Sequence, residues 1–218
     1  MTGGEIIRSA DLREQVHEAL RQRIIAGAYA PGERLTEMQV SKEFGVSRTP
    51  AREALVMLTQ AGLLEAGARG FLLPNFSAED IRAVFEIRFV IEPFAVGKIV
   101  RETGLAMLRE QCARMRADIL ENRDYEGYLA ANGRVRAMLF GLLSNPRLRQ
   151  VIGTFEDQVH FIRLATLKDG AIRERSIGGN LALIARLEEG EPGKAEDEMR
   201  RLLETAQEAA LEVVGSPG

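Results

Sequence analysis

The chain is short of the residues that build redox and metal chemistry. It has one cysteine, Cys112, so no internal disulfide can form, and a reducing compartment fits. Two histidines, His17 and His160, leave little material for a transition-metal site. No apolar run is long enough to span a bilayer, and the first ten residues lack the apolar stretch of a secretory signal. Those absences point to a cytoplasmic protein with no membrane partner. A basic excess is missing too. The net charge is −3, and residues 1–75 carry nine basic side chains against nine acidic ones. Any case for nucleic-acid binding therefore rests on where the arginines sit, not on bulk charge.

The 218 residues, 45% hydrophobic and 28% charged, have the composition of an ordinary folded chain. Leu12, Val16, Ala19, Leu20 and Ile24 recur at helical spacing up to a stop at Gly27. After the turn signal Pro31-Gly32, Leu35 re-enters the core and Thr36 caps a short helix that Gly45 breaks. Ser47 then caps a further helix with Pro50 in its first turn. "LLEAG" and "GFLLPNF" flank Ala68-Arg69-Gly70 as a small hairpin. Helix, helix, tight turn, helix and hairpin make a winged helix-turn-helix over residues 1–75.

Beyond Pro74 the spacing is helical throughout. Ser77 to Asp80 forms a capping box, and helices are expected over 78–101, 104–121, 124–143, 146–168, 171–189 and 192–214. Six helices predict an antiparallel bundle over 76–218. The fold class is mainly α, with a small β-hairpin wing.

Helix-turn-helix geometry offers the first turn of the second helix to the major groove. Here that turn holds Ser47, Arg48, Thr49 and Arg52, with the arginines one turn apart on one face. A guanidinium can fork onto guanine, while hydroxyls and free backbone N–H groups suit phosphates. Arg69 and Gly70 at the wing tip, and more weakly Arg34, complete the candidate DNA contacts. A plain cap at Ser47 and a solvated Arg52-Glu53 pair are the bland reading.

The run from Leu20 to Leu35 follows L-R-x-x-I-x-x-G-x-Y-x-P-G-E-R-L. Glu37 to Leu64 follows E-x-x-x-S-x-x-F-G-V-S-R-T-P-x-R-E-A-L-x-x-L-x-x-x-G-L-L, with R-G-F at 69–71. This resembles the DNA-binding domain of GntR-type bacterial transcription regulators. E-x-R-x-x-x-E-P at Glu86 to Pro93 and "LLSNPRL" at 142–148 resemble the FCD branch of that family. The resemblance implies a homodimer on a roughly palindromic double-stranded operator, and a small organic acid effector in the bundle.

Many FCD domains hold a divalent metal with one aspartate and three histidines. Counting from Asn145-Pro146, those positions fall on Asn132, Arg136, Asn180 and near Leu202, so all four ligands are replaced. Arginine donates only and stays charged. No metal or other cofactor is expected, and His160 reads as a packed or rim histidine. Arg136, with Asn132, Asn180 and Arg88, is the candidate anion site. The alternative is that Arg136 pairs internally with Glu86 or another carboxylate.

Three functions compete: a ligand-responsive regulator, a regulator whose bundle serves only dimerisation, and a helical metalloenzyme. No nucleophile set, phosphate loop or CxxC pair supports an enzyme.

Overall fold

The computed structural model describes residues 9–30, 32–74, 76–99, 104–122 and 125–215. The chain divides into two compact units, Met1–Asn75 and Phe76–Gly218.

The first unit contains α1 (Ser9–Ile25), β1 (Arg34–Leu35), α2 (Glu37–Phe44), α3 (Arg48–Gln60), β2 (Glu65–Gly67) and β3 (Gly70–Leu72). Val16, Leu20 and Ile24, four residues apart, turn one face of α1 inward against α3. A capping box starts α2: the Thr36 hydroxyl accepts from Gln39 N–H, and the Gln39 side chain accepts from Thr36 N–H at 2.9 Å. Gly45, at φ 65°, ends α2, and the Ser41 carbonyl accepts from the N–H groups of both Gly45 and Val46. This turn aims α3, which buries Pro50, Ala51, Ala54, Leu55 and Leu58. Ser47 holds the N-cap position of α3 but makes no side-chain capping bond.

The wing has one strand more than the expected hairpin. β1 joins β3, giving a three-stranded antiparallel sheet in the order β1-β3-β2, with Arg34 opposite Leu72 and Gly67 opposite Gly70. β1 is only two residues long, too short for periodicity to reveal; buried Leu35 and the bond from Leu73 N–H to Glu33 O anchor it. Gly70 has φ 129°, and a Cβ there would lie 2.6 Å from the Leu35 carbonyl oxygen. Sheet closure alone therefore demands glycine.

The second unit contains α4 (Ala78–Val96), α5 (Leu105–Asn122), α6 (Tyr125–Gly141), α7 (Pro146–Gly153), α8 (Glu156–Thr166), α9 (Gly170–Glu188) and α10 (Pro192–Gly215). Ser77 with Asp80, Asn145 and Asp169 cap α4, α7 and α9. α10 lies along both α4 and α9, and α5 packs on α6 and α9. Among the described residues no helix is long and apolar enough to cross a membrane.

Two expected helices are corrected. The first stops at Val96, and residues 100–103 lie outside the described residues. The helix expected over 146–168 is two helices, so the described bundle has seven. At the break, Thr154 N–H is shared between Gln150 and Val151 carbonyls, and its hydroxyl donates back to Val151 O at 2.6 Å. Glycine at 153 and a back-bonded threonine after it favour such a break.

Gly178 and Gly179 sit inside α9 for different reasons. A Cβ on Gly178 meets nothing within 4 Å and faces solvent, whereas one on Gly179 would fall 2.5 Å from Leu202 Cδ2 on α10. Gly178→Ala is expected to stabilise the protein by about 0.5–1 kcal/mol in urea unfolding. Gly179→Ala is expected to destabilise it, because Leu202 must move. Equal gains at both positions would contradict this account of the close approach.

Candidate functional sites

On the first unit, Arg48, Thr49 and Arg52 line one open depression of about 570 Å³. Ser47, Arg48, Thr49 and Arg52 are all exposed at the mouth of α3. Arg34 lies in β1 and Arg69 in the turn between β2 and β3, both exposed; neither they nor Gly70 lines the depression.

Two residues that sequence reasoning missed join this face: Arg13 from α1 and Glu37 from α2. Nothing marks Arg13 among the other charged residues of α1. Glu37 Oε1 lies 3.6 Å from Arg52 Nε, while the Arg52 side chain remains 70% exposed. An exposed pair of this kind contributes about 0–1 kcal/mol, so Arg52 is only lightly held.

The second unit encloses a cavity of about 100 Å³. Asn132 and Arg136 of α6, Asn180 of α9, Leu202 of α10 and Arg88 of α4 all line it. Register counted from Asn145-Pro146 thus brings together positions far apart in sequence. Leu139, Phe140, Val159, Ile162, Met199 and Leu203 supply much of the apolar wall. Ser176 links the two asparagines: its hydroxyl accepts from Asn132 Nδ2 at 3.2 Å, and its carbonyl from Asn180 Nδ2 at 2.8 Å.

An ionic network runs along the cavity. Arg136 donates through both terminal nitrogens to Glu92, at 2.7 and 2.8 Å, and through Nε to Glu156 at 2.7 Å. Arg88 Nε donates to Glu92 at 2.7 Å, and Arg163 donates to Glu156 at 2.6 Å. Arg136 therefore does pair internally, with Glu92 and Glu156; Glu86 is exposed. Glu92 was not named as a site residue; its spacing of one helical turn after Arg88 marks it as a partner of Arg88, not of Arg136. Glu156 and Arg163 had no signal, because the break that starts α8 was not foreseen.

Burial opposes ionisation of Glu92, yet Arg136 and Arg88 outweigh it and hold the carboxyl at about 2. Glu156 is lowered in the same way: burial opposes its charge, and Arg136 and Arg163 overcome it. For Arg136, Glu92 and Glu156 together overcome the burial penalty and raise its pKa. For Arg88 and Arg163 burial wins and the pKa is lowered, although guanidinium stays charged near neutrality.

The cavity does not fit the divalent metal that the resemblance implies. Its lining includes two carboxamides, at Asn132 and Asn180, and three arginines that would repel a cation, with no histidine or aspartate among the described lining residues. Among the described residues no group of three His, Cys, Asp or Glu side chains can hold a metal ion. His160 of α8 does not line the cavity.

Arg136→Met is expected to lower stability by about 3–5 kcal/mol, since it strands buried carboxylate charge. The acid dependence has a definite sign. Glu92 lies at about 2 when folded against an ordinary 4.5, so its contribution is complete above that ordinary value and is lost as pH falls toward 2. Urea unfolding across that window should show a loss in the parent protein that Glu92→Gln lacks.

Comparison with known proteins accords with this architecture. Residues 12–70 match the model for "Bacterial regulatory proteins, gntR family", and residues 83–205 match the FCD domain. The chain is 31% identical over 154 residues to an uncharacterized HTH-type transcriptional regulator, YdhC, of Bacillus subtilis, covering 69% of each chain. It is 28% identical to the transcriptional regulator McbR of Escherichia coli, covering 70% of each. The solved structure of E. coli McbR/YncC has the same fold, at a TM-score of 0.71 and 23% identity over 88% of this chain and 93% of that one. A putative GntR regulator from Rhodococcus sp. RHA1 superposes at 0.76, with 21% identity over 94% and 99%. The chain belongs to the gntR family of bacterial regulatory proteins, as a DNA-binding transcription regulator with an FCD domain, and not an enzyme.

Proposed function

We propose that the protein is a homodimeric, cytoplasmic regulator that reads a roughly palindromic operator and responds to a small carboxylate-bearing effector in its bundle. The observation that carries the DNA reading is the first turn of α3, where Arg48, Thr49 and Arg52 share one exposed face. Arg48 and Arg52 reach a base edge or a phosphate, Ser47, Thr49 and the α3 N-terminus take phosphates, Arg69 enters the minor groove where Gly70 allows close approach, and Arg34 adds a weaker phosphate contact. Arg13 adds a phosphate contact. Glu37 releases Arg52 when the groove is entered.

A second copy is needed because one neutral head supplies little electrostatic attraction. α4 offers a surface for it: Ile87, Val90 and Phe94, three and four residues apart, are exposed, with Val90 at 73%. Relatives named as operon regulators, such as the Nta operon transcriptional regulator of Aminobacter aminovorans, support operator binding.

Arg88, Asn132, Arg136 and Asn180 surround the proposed effector. Arg136 orders Glu92 and Glu156, which leaves the other cationic groups to meet the ligand. Effector binding to one bundle conformation over another would shift the population competent for DNA. The reading without effector sensing rests on the saturation of Arg136 by internal carboxylates.

Fluorescence anisotropy on a duplex selected from random DNA tests the DNA reading. Arg48→Ala and Arg52→Ala should each cost about 1–3 kcal/mol and relax specificity at one base pair. Arg13→Ala should weaken all duplexes alike and reduce the salt slope by about one. Unchanged selectivity in both α3 variants would remove the proposal.

A further inference from the structure

The network is shielded at Glu92 and its arginines and opens to water at Glu156, whose side chain is 32% exposed; it does not balance its charge. Arg88, Arg136 and Arg163 stand against Glu92 and Glu156, which leaves one positive charge in excess. Among the described residues, no further charged side chain lines the cavity beyond the three arginines and Glu92. An uncompensated charge away from water is costly, and a cavity beside it gives a counter-charge somewhere to sit.

The excess is not shared evenly. Arg136 is gripped by three bonds from two carboxylates, and Arg88 Nε donates to Glu92 while its guanidinium stacks 4.5 Å from the Phe85 ring. Among the described residues, Arg163 has one bond, from one terminal nitrogen to Glu156, and its buried Nε has no partner. An unmade bond on a buried charged donor is a standing cost. Arg163 lines the cavity and lies on α8, outside every position that the metal-binding pattern uses.

The opposite chemistry is also present. Leu202 lines the cavity near the position that the resemblance gives to its last ligand, and Gly179 makes the room for it on the neighbouring helix. Together with Leu139, Phe140, Ile162 and Met199 it makes most of the wall apolar. Asn132, Ser176 and Asn180 add neutral hydrogen-bonding groups.

We propose that the cavity takes a singly charged, largely apolar carboxylic acid without any metal, with Arg163 as the anchor of its carboxylate. This deepens the effector reading above and rests on it. One carboxylate brings the network to neutrality and meets Arg163 where that side chain lines the cavity. A dicarboxylate carries one charge too many into an apolar enclosure, and a neutral amide leaves the excess in place. Arg136 orders the two glutamates and positions the anchor.

The test is calorimetry and thermal shift on the full chain after exhaustive chelation. The probes are butanoate, hexanoate and benzoate, their primary amides, and the dicarboxylates succinate and adipate. The monocarboxylates should bind and raise the melting temperature, with the amides and dicarboxylates about tenfold weaker or more. Added Zn²⁺ should change nothing. Arg163→Gln should lose about tenfold or more in monocarboxylate affinity, with circular dichroism reporting whether it folds. Glu156→Gln is the second variant: it raises the excess to two, so the preference should move toward dicarboxylates.

Dicarboxylates binding the parent protein as tightly as monocarboxylates, or acid binding that requires Zn²⁺, would overturn the proposal and leave effector sensing standing. Amides binding as well as acids would do the same. If no probe of any kind binds while the protein still holds its DNA, the effector reading fails along with the proposal.

Discussion

Glu92 is a carboxylate that water scarcely reaches, held by two arginines from two different helices. An ion in that setting is tolerated only while its partners keep their geometry. The interior of the bundle is arranged to satisfy this condition. Arg136 must reach Glu92 from α6, Glu156 must begin α8 where it can take the remaining donor of Arg136, and Arg163 must follow two turns later. The break at Thr154 and Phe155 makes this possible. It ends α7 and lets α8 start afresh at Glu156.

The two units use arginine in opposite ways. In the first, Arg48 and Arg52 are exposed and loosely engaged, with Glu37 a weak partner in solvent. Such side chains can exchange partners at little cost, which suits groups that meet DNA. In the second, the side chains of Arg88, Arg136 and Arg163 are only 10–11% exposed, and charge balance decides what else may enter. Neither behaviour is visible in net charge, which is zero over residues 1–75 and −3 over the whole chain.

Much of this was legible in the sequence. Thr36, Gly45, Asn145 and Asp80 mark helix ends with side chains or backbone shapes that act locally, so the elements they bound could be read directly. The cavity positions could be read because helices keep register: Asn132 and Arg136 are one turn apart, and Asn180 and Leu202 face them from helices whose starts are fixed by caps and turns. What escaped depends on contacts between distant segments. β1 is two residues that pair only because β3 is there. Arg163 and Glu156 gain their meaning from Arg136, twenty or more positions earlier in the chain. The reason for Gly179 lies on another helix, in Leu202, which fills the space that the missing side chain leaves.

The central claim is that one buried positive charge awaits an anion at Arg163. A crystal structure with a bromine-tagged monocarboxylic acid, solved from the anomalous signal of the tag, addresses it most directly. The account predicts the carboxylate within hydrogen-bonding reach of Arg163 and the bromine among Leu139, Met199 and Leu202. A carboxylate held by a metal ion, or bromine density outside the bundle, would contradict it.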